Sequence, residues 1–208
     1  MILLLLACVP KRPQAPEPMP EPVHAQAKLP VLEFTLPADR PTFSGTEDAA
    51  NTLVLFTDYQ CPYCKMAHQE LKSFADRDDL HVVALHFPLH SDCNAGVSTK
   101  MHPQACSSAI ATECAHQQGR YPEMAGQLAM PGADLSAAGT LALSQALEMD
   151  PVAYERCVDN PATLAQVQAD AALGQTLGIR GTPSFILRQP HGLWVGLEGL
   201  HQLKELLP

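Results

Sequence analysis

The sequence predicts one α/β domain in which a mostly helical block interrupts a core of strands and helices. Three observations indicate this fold class. Two continuous apolar runs, at 52–57 and 82–87, flank a segment with helical periodicity, helix-start signals recur across 102–178, and short strand-like runs follow that block. A chain of 208 residues is long enough for one such domain and an appendage.

Apolar periodicity predicts the first elements of this domain. The run TLVLFT at 52–57 is typical of a strand that is buried on both faces. Ala67, Leu71 and Phe74 then recur at i, i+4 and i+7, which predicts a helix with one buried stripe. The run at 82–87 predicts a second buried strand, so the order favours a right-handed strand–helix–strand unit with parallel strands.

Capping signals mark the helices of the inserted block. Asp150-Pro151 and Asn160-Pro161 each place a capping side chain before a proline at the first helical position. Gly178 is expected to end the last of these helices. A hairpin of two short strands and a terminal helix complete the domain, at residues 184–187, 193–195 and 200–207. Phe185 and Trp194, in this hairpin, are expected in the core.

The N-terminal residues predict a membrane tether rather than part of the core. Residues 2–7 are apolar and lead to Cys8, and LLAC resembles a bacterial lipobox, whose cysteine is lipidated. The alternative is a truncated ordinary signal, since no basic residue precedes the short apolar run. Residues 9–30 contain seven prolines, which is typical of an extended spacer. We therefore divide the chain into a signal remnant at 1–8, a linker at 9–30 and a domain at 31–208.

Composition excludes one class of function and indicates a compartment. The net charge of −9 argues against a nucleic-acid-binding protein, which needs clustered Lys and Arg. Seven cysteines are present, and setting Cys8 aside leaves an even set of six. Such a set is typical of disulfides in an oxidising compartment.

Two of these cysteines, in Cys61-Pro62-Tyr63-Cys64, follow the first buried strand and begin the first helix. Residues at i and i+3 on one helical turn are close enough to form a disulfide. The helix N-terminus stabilises a thiolate at Cys61, which makes it the nucleophile, while Cys64 resolves the mixed disulfide. The alternatives are a structural disulfide or a metal site, although zinc commonly takes two such pairs and this sequence has one.

The stretches FTDYQCPYC and LGIRGTPSFIL carry a family resemblance that covers about residues 43–207. A strand, CxxC at a helix start and Thr-Pro before another strand resemble the thioredoxin fold, and the inserted helices resemble its DsbA-like branch of bacterial extracytoplasmic thiol-disulfide oxidoreductases. The resemblance implies that Thr182-Pro183 is cis and lies beside the cysteine pair. It also implies that the Thr182 backbone pairs with an extended substrate. Pro62 and Tyr63 would shape the reduction potential.

One position departs from the family pattern. Related sequences often read EFSDFQCPYC, whereas Leu55 replaces that glutamate here. A carboxylate there would move protons between Cys64 and solvent, so its absence leaves the proton route open, with Asp58 nearby in sequence.

The resemblance also implies how the other cysteines pair. Cys114–Cys157 would join two helices, as in some DsbA-like proteins. Cys93 and Cys106 lie in the segment SDCNAGVSTKMHPQAC, which resembles one in thioredoxin domains associated with vitamin K epoxide reductase homologues and so implies Cys93–Cys106. Four cysteines permit three connectivities, so the residues alone leave this open. Four histidines show no ligand pattern: His68, His86, His90 and His102. Of these, His68 is expected on a solvated face of the first helix.

The expected function is therefore thiol-disulfide exchange in the periplasm by a lipid-anchored protein, with disulfide oxidase as the leading interpretation. A thiol reductase or isomerase is the alternative, and a Cu(I) carrier using CxxC is an alternative from another class. No organic cofactor and no metal are expected. The expected partners are unfolded or thiol-containing secreted proteins and a membrane redox partner. Residues 9–42 offer no dimerisation domain, which favours a monomer.

Overall fold

A computed structural model describes residues 30–207. The predicted signal remnant with Cys8, and the linker up to residue 29, lie outside the described residues. The domain contains a six-stranded sheet in the order β1-β6-β5-β3-β4-β2, in which β3 and β4 are parallel and the other neighbours antiparallel. The strands are β1 Val31–Leu32, β2 Thr42–Ser44, β3 Asn51–Thr57, β4 Leu80–His86, β5 Ser184–Arg188 and β6 Trp194–Leu197.

Seven helices accompany the sheet in the described part of the chain. α1 continues into a 3-10 turn at Lys72–Phe74, and α2 to α6 fill the interval between β4 and β5 where the helical block is predicted. The helices are α1 Pro62–Leu71, α2 Ala105–Gln117, α3 Tyr121–Leu128, α4 Ala137–Ala146, α5 Pro151–Val158, α6 Pro161–Thr176 and α7 Leu200–Leu206.

The two central strands are buried along their whole length, as their apolar runs predict. Alternate side chains of β3 point to opposite faces of the sheet. Leu53 and Leu55 join a core with α1 and α7, whereas Val54 and Phe56 join a second core with α6. A third core holds the helical block together around α2, α3 and α5. Phe185 and Trp194 are buried, as expected.

The capping signals place the helix starts correctly. Asp150 accepts a hydrogen bond from the Ala153 N–H at 2.8 Å, and Asn160 accepts one from the Ala162 N–H at 3.0 Å. Gly178 follows α6 with a φ of +76°, a conformation that favours glycine. The edge strands β1 and β2 went unpredicted because two or three residues are too short to show a period.

Candidate active site

The cysteine pair lies at the start of α1, just after the loop that follows β3. Cys61 is the N-cap residue of α1, in an extended conformation, and Pro62 occupies the first turn. The accessible surface of Cys61 is 3% and that of Cys64 is 0%, whereas Tyr63 between them is 68% exposed. Cys61 is therefore the sulfur nearer to solvent, and Cys64 is shielded one turn further along the helix.

The two thiols differ sharply in acidity. The pKa of Cys61 is lowered to about 5, chiefly by the hydrogen bond from the Cys64 side chain; burial opposes this, and the backbone N–H groups of Cys64 and Tyr63 support it. Burial raises the pKa of Cys64, and a charge on Cys61 raises it further. Both cysteines are free, so the structure shows the reduced pair. The opposite pKa shifts favour a thiolate at Cys61 and a thiol at Cys64 at neutral pH.

The loop before β5 completes the site. The Thr182-Pro183 peptide bond is cis, as the resemblance implies. β5 pairs antiparallel with β3, which brings the loop to the end of β3 where α1 begins. The Cys61 sulfur lies 3.3 Å from the Thr182 carbonyl oxygen.

Asp58 connects the cysteine pair to a distant loop. Its backbone N–H donates to the Cys64 sulfur at 3.4 Å, and its carbonyl accepts from the Cys61 N–H at 3.1 Å. Its carboxylate is buried and accepts from the backbone N–H groups of Gln60 and Leu89 and from His102 Nδ1, each at 2.8 Å. Sequence reasoning missed His102 because 44 residues separate it from Asp58 and no motif links them.

The prediction that His68 lies on a solvated helix face was wrong. Its accessible surface is 0%, and it lies against the rings of Phe43 and Tyr59. Nε2 hydrogen-bonds to Thr57 Oγ1 at 3.0 Å, whereas Nδ1 has no partner among the described residues. Burial lowers the pKa of His68 to about 4, and the charge of Lys72 adds to this effect, so the imidazole is neutral at pH 7.

The four remaining described cysteines form two disulfides. They are Cys93–Cys106 and Cys114–Cys157, the pairing that the resemblance implies. Within residues 30–207, one group of three potential metal ligands occurs, His90 with Cys93 and Cys106, and its two sulfurs are bonded to each other. Neither Cys61 nor Cys64 belongs to this group.

A buried ionic network joins the segment before β2 to β4, α2 and α6. Arg40 contacts Glu113 at 2.6 Å and Asp170 at 3.1 Å, and His86 Nε2 lies 3.2 Å from Glu113. Burial alone would raise the pKa of Glu113, but hydrogen bonds and charge from His86 and Arg40 lower it to about 2. Sequence reasoning missed this network because its members come from four separate segments.

A sheet of this topology, with CxxC at a helix N-terminus beside a cis-proline, defines a thioredoxin-like protein. The chain belongs to the family of DSBA-like thioredoxin domains, whose model matches residues 52–208. Members of this family are thiol-disulfide oxidoreductases, and proteins with this fold are typically periplasmic. In general they interact with thiol-containing substrates and membrane redox partners.

Solved structures share the fold. A thioredoxin-like oxidoreductase from Silicibacter pomeroyi is 26% identical with a TM-score of 0.65, over 81% of this chain and 90% of that chain. DsbA2 of Pseudomonas aeruginosa is 24% identical with a TM-score of 0.62, over 84% and 93%. BdbD of Bacillus subtilis is 20% identical with a TM-score of 0.63, over 81% and 90%.

Curated relatives are longer proteins. The chain is 26% identical to Na(+)/H(+) antiporter NhaA 3 of Salinispora tropica over 78% of its length, and 29% identical to NhaA 1 of Mycobacterium sp. strain KMS over 84%. It spans about a quarter of the length of these relatives, 24% and 27% respectively. Between residues 30 and 207, no helix has the length and apolar character that a membrane crossing requires.

Proposed function

We propose that the protein is a thiol-disulfide oxidoreductase that uses Cys61 and Cys64, and that it acts as a disulfide oxidase. The observation that carries this proposal is the lowered pKa of Cys61, about 5, at the N-terminus of α1. A stabilised thiolate favours the reduced pair over its disulfide, and a pair that is more stable when reduced is a stronger oxidant. The acidity thus favours an oxidase over a reductase.

The exchange proceeds in two displacements. A substrate thiolate attacks the Cys61 sulfur of the oxidised pair, the Cys61–Cys64 bond breaks, and Cys64 leaves with the electron pair and takes up a proton. A second substrate thiolate then attacks the substrate's own sulfur in the mixed disulfide and releases the Cys61 thiolate. Two electrons pass to the pair and the substrate gains a disulfide. The low pKa of Cys61 makes it a good leaving group in the second displacement.

The surface around Cys61 supports an unfolded protein as substrate. Tyr63 and Met66 on α1 are 68% and 67% exposed. Met130 lies beside the same helix, where its sulfur accepts a hydrogen bond from the Gln69 amide. Met101, 65% exposed, precedes the histidine that contacts Asp58. Flexible thioether side chains adapt to many sequences, which suits a varied substrate. The backbone of Thr182 beside Cys61 would pair with an extended chain.

A membrane redox partner would reoxidise the pair, and a lipid on Cys8 would hold the protein at a periplasmic membrane surface. A Cys64→Ala variant traps mixed disulfides, because the resolving thiol is missing. We expect disulfide-linked proteins to be retained on this variant and to be released by reductant. A pull-down that retains none would contradict the proposed partners.

The reduction potential of the pair tests the proposed direction. We would equilibrate the full chain carrying Cys8→Ser with glutathione buffers and use Cys61→Ala/Cys64→Ala as the control that subtracts any change at other cysteines. A value near about −120 mV is expected for an oxidase, whereas about −270 mV would indicate a reductase. A pair that does not titrate would contradict exchange chemistry and favour the Cu(I) alternative.

A further inference from the structure

Asp58 lies beside the cysteine pair, yet the exchange mechanism above gives its side chain no role. The carboxylate has no accessible surface and accepts three hydrogen bonds, from Gln60, Leu89 and His102. A buried carboxylate needs such donors, since an unpaired charge is costly away from water. The donors come from two loops, so Asp58 fixes the loop before α1 against the loop that follows β4.

The backbone of Asp58, rather than its carboxylate, contacts the reacting sulfur. Its N–H donates to the Cys64 sulfur at 3.4 Å. Burial raises the pKa of the Cys64 thiol, and this N–H opposes the rise because it stabilises the thiolate. Leu55, on the strand that leads to the site, belongs to the apolar core and offers no charge. The backbone N–H is therefore a means of stabilising charge on Cys64 that needs no carboxylate below the site.

A charge develops on Cys64 when it leaves during substrate oxidation, and Cys64 must also be charged when a disulfide oxidises the reduced pair. When the reduced pair meets a disulfide, the Cys61 thiolate attacks one sulfur and a first thiolate leaves. Cys64 then loses its proton to solvent and attacks the Cys61 sulfur. The mixed disulfide bond breaks, a second thiolate leaves, and the Cys61–Cys64 bond forms. Only this second step requires the Cys64 thiolate.

We propose that Asp58 and His102 are positioning residues for this resolving step, because their side-chain hydrogen bond holds the Asp58 N–H against the Cys64 sulfur. His102 is itself held in place: its N–H donates to the Leu89 carbonyl at 3.2 Å, and the nearby Gln104 N–H donates to Gln60 Oε1 at 2.7 Å. The role presupposes the proposed disulfide exchange and adds the residues that set how fast Cys64 resolves the mixed disulfide when the reduced pair is oxidised again.

A reaction with one equivalent of an aromatic disulfide separates the two steps. Such a reagent releases one coloured thiolate when Cys61 attacks and a second when Cys64 resolves. In a His102→Ala variant of the reduced full chain with Cys8→Ser, we expect resolution to slow by about three- to tenfold, the scale of one lost hydrogen bond. The bimolecular first phase is expected to keep its rate, since Cys61 governs it.

Two further variants distinguish positioning from a general loss of structure. His102→Asn offers an amide N–H near the place of Nδ1 and is expected to restore the second rate. His116→Ala is the matched control, because His116 has a side-chain exposure of 20% against 16% for His102 and also lies beside an aspartate, Asp39, on another surface. In Asp58→Asn, an amide NH₂ group would face the His102 N–H, and two donors cannot hydrogen-bond to each other. We expect this variant to slow the resolving phase as well.

The outcomes decide the proposal. Unchanged resolution in His102→Ala, or equally slow resolution in His102→Ala and His102→Asn, would overturn it. A parallel fall in both phases would also overturn it, since it would indicate a disturbed fold instead of a positioned N–H. If the unmodified pair released neither coloured thiolate, the proposed function would fail first and this role with it.

Discussion

At the scale of single residues, two chemically identical thiols are made different by their positions on one helical turn. Cys61 sits at the start of α1 with a pKa of about 5, while burial raises the pKa of Cys64. Their spacing and place were readable from the sequence because CxxC at a strand–helix junction is a local pattern. The Asp58–His102 contact and the burial of His68 were not, because each depends on segments that only the tertiary fold brings together.

The acidity of Cys61 is directly testable. We expect the alkylation rate of the reduced protein to rise with a midpoint near pH 5, and Cys64→Ala to move it toward about 8.5, the ordinary thiol value, because the largest cause of the lowered pKa is removed. Ultraviolet absorbance of the thiolate would report the same midpoint. A midpoint that Cys64→Ala leaves near 5 would contradict the assigned cause.

The same shift links redox state to stability. Because the folded pKa of Cys61 lies below its unfolded value, its stabilising contribution is complete above about pH 8.5 and is lost as the pH falls through about 5. We therefore expect the melting temperature of the reduced protein to fall relative to the oxidised protein on acidification through this window. Parallel melting curves of the two forms would count against it.

His68 makes a separate contribution to pH dependence. Its folded pKa of about 4 lies below the unfolded value of about 6.5. The contribution of His68 to the free energy of unfolding is therefore complete above about pH 6.5 and is lost as the pH falls through about 4. We expect His68→Leu to remove this pH-dependent contribution, so that the free energy of unfolding changes less steeply with pH between about 4 and 6.5. Chemical denaturation at several pH values measures both slopes, and identical slopes would contradict the buried, neutral state.

At the scale of elements, caps and apolar periods placed most helices and the central strands correctly. Asp150 and Asn160 act locally, so the sequence around them suffices to predict α5 and α6. The pairing of the disulfides is different, since four cysteines alone allow three arrangements. The structure links α2 to α5 through Cys114–Cys157 and closes the loop after β4 through Cys93–Cys106.

The two disulfides are expected to contribute unequally. Their sequence separations are 43 for Cys114–Cys157 and 13 for Cys93–Cys106. From loop length alone, Cys114→Ala/Cys157→Ala is expected to cost about 4 kcal/mol and Cys93→Ala/Cys106→Ala about 3 kcal/mol. Denaturant unfolding of the two matched double variants would show the order, and the reverse order would mean that native contacts outweigh chain entropy.

At the scale of the whole molecule, one buried cation ties distant parts together. Arg40 precedes β2 and contacts Glu113 of α2 and Asp170 of α6, and the His86 N–H of β4 donates to Asp170. Sequence patterns report which faces are apolar, but they do not report which buried charges will meet. The network was therefore beyond prediction, although the helical block that it anchors was not.

Removing that cation should be costly. Arg40→Ala leaves carboxylates buried without their partner, so we expect a loss of about 3–5 kcal/mol in unfolding free energy. Arg120→Ala is the matched control, because Arg120 pairs with Glu123 on the surface at 42% and 44% exposure, and such pairs contribute about 0–1 kcal/mol. Similar losses in both variants would argue against a structural role for the network.

The two edges of the sheet have a consequence for the proposed encounter with unfolded chains. β1 has two residues, and β2 has three with a register shift against β4. A long, regular edge would recruit passing polypeptides as additional strands and seed aggregates. Blunted edges leave little backbone for such recruitment, so a client chain that docks elsewhere would find few sites at which to stay. For the proposed unfolded substrates, the short edges therefore offer little backbone to which a chain could stay bound after exchange.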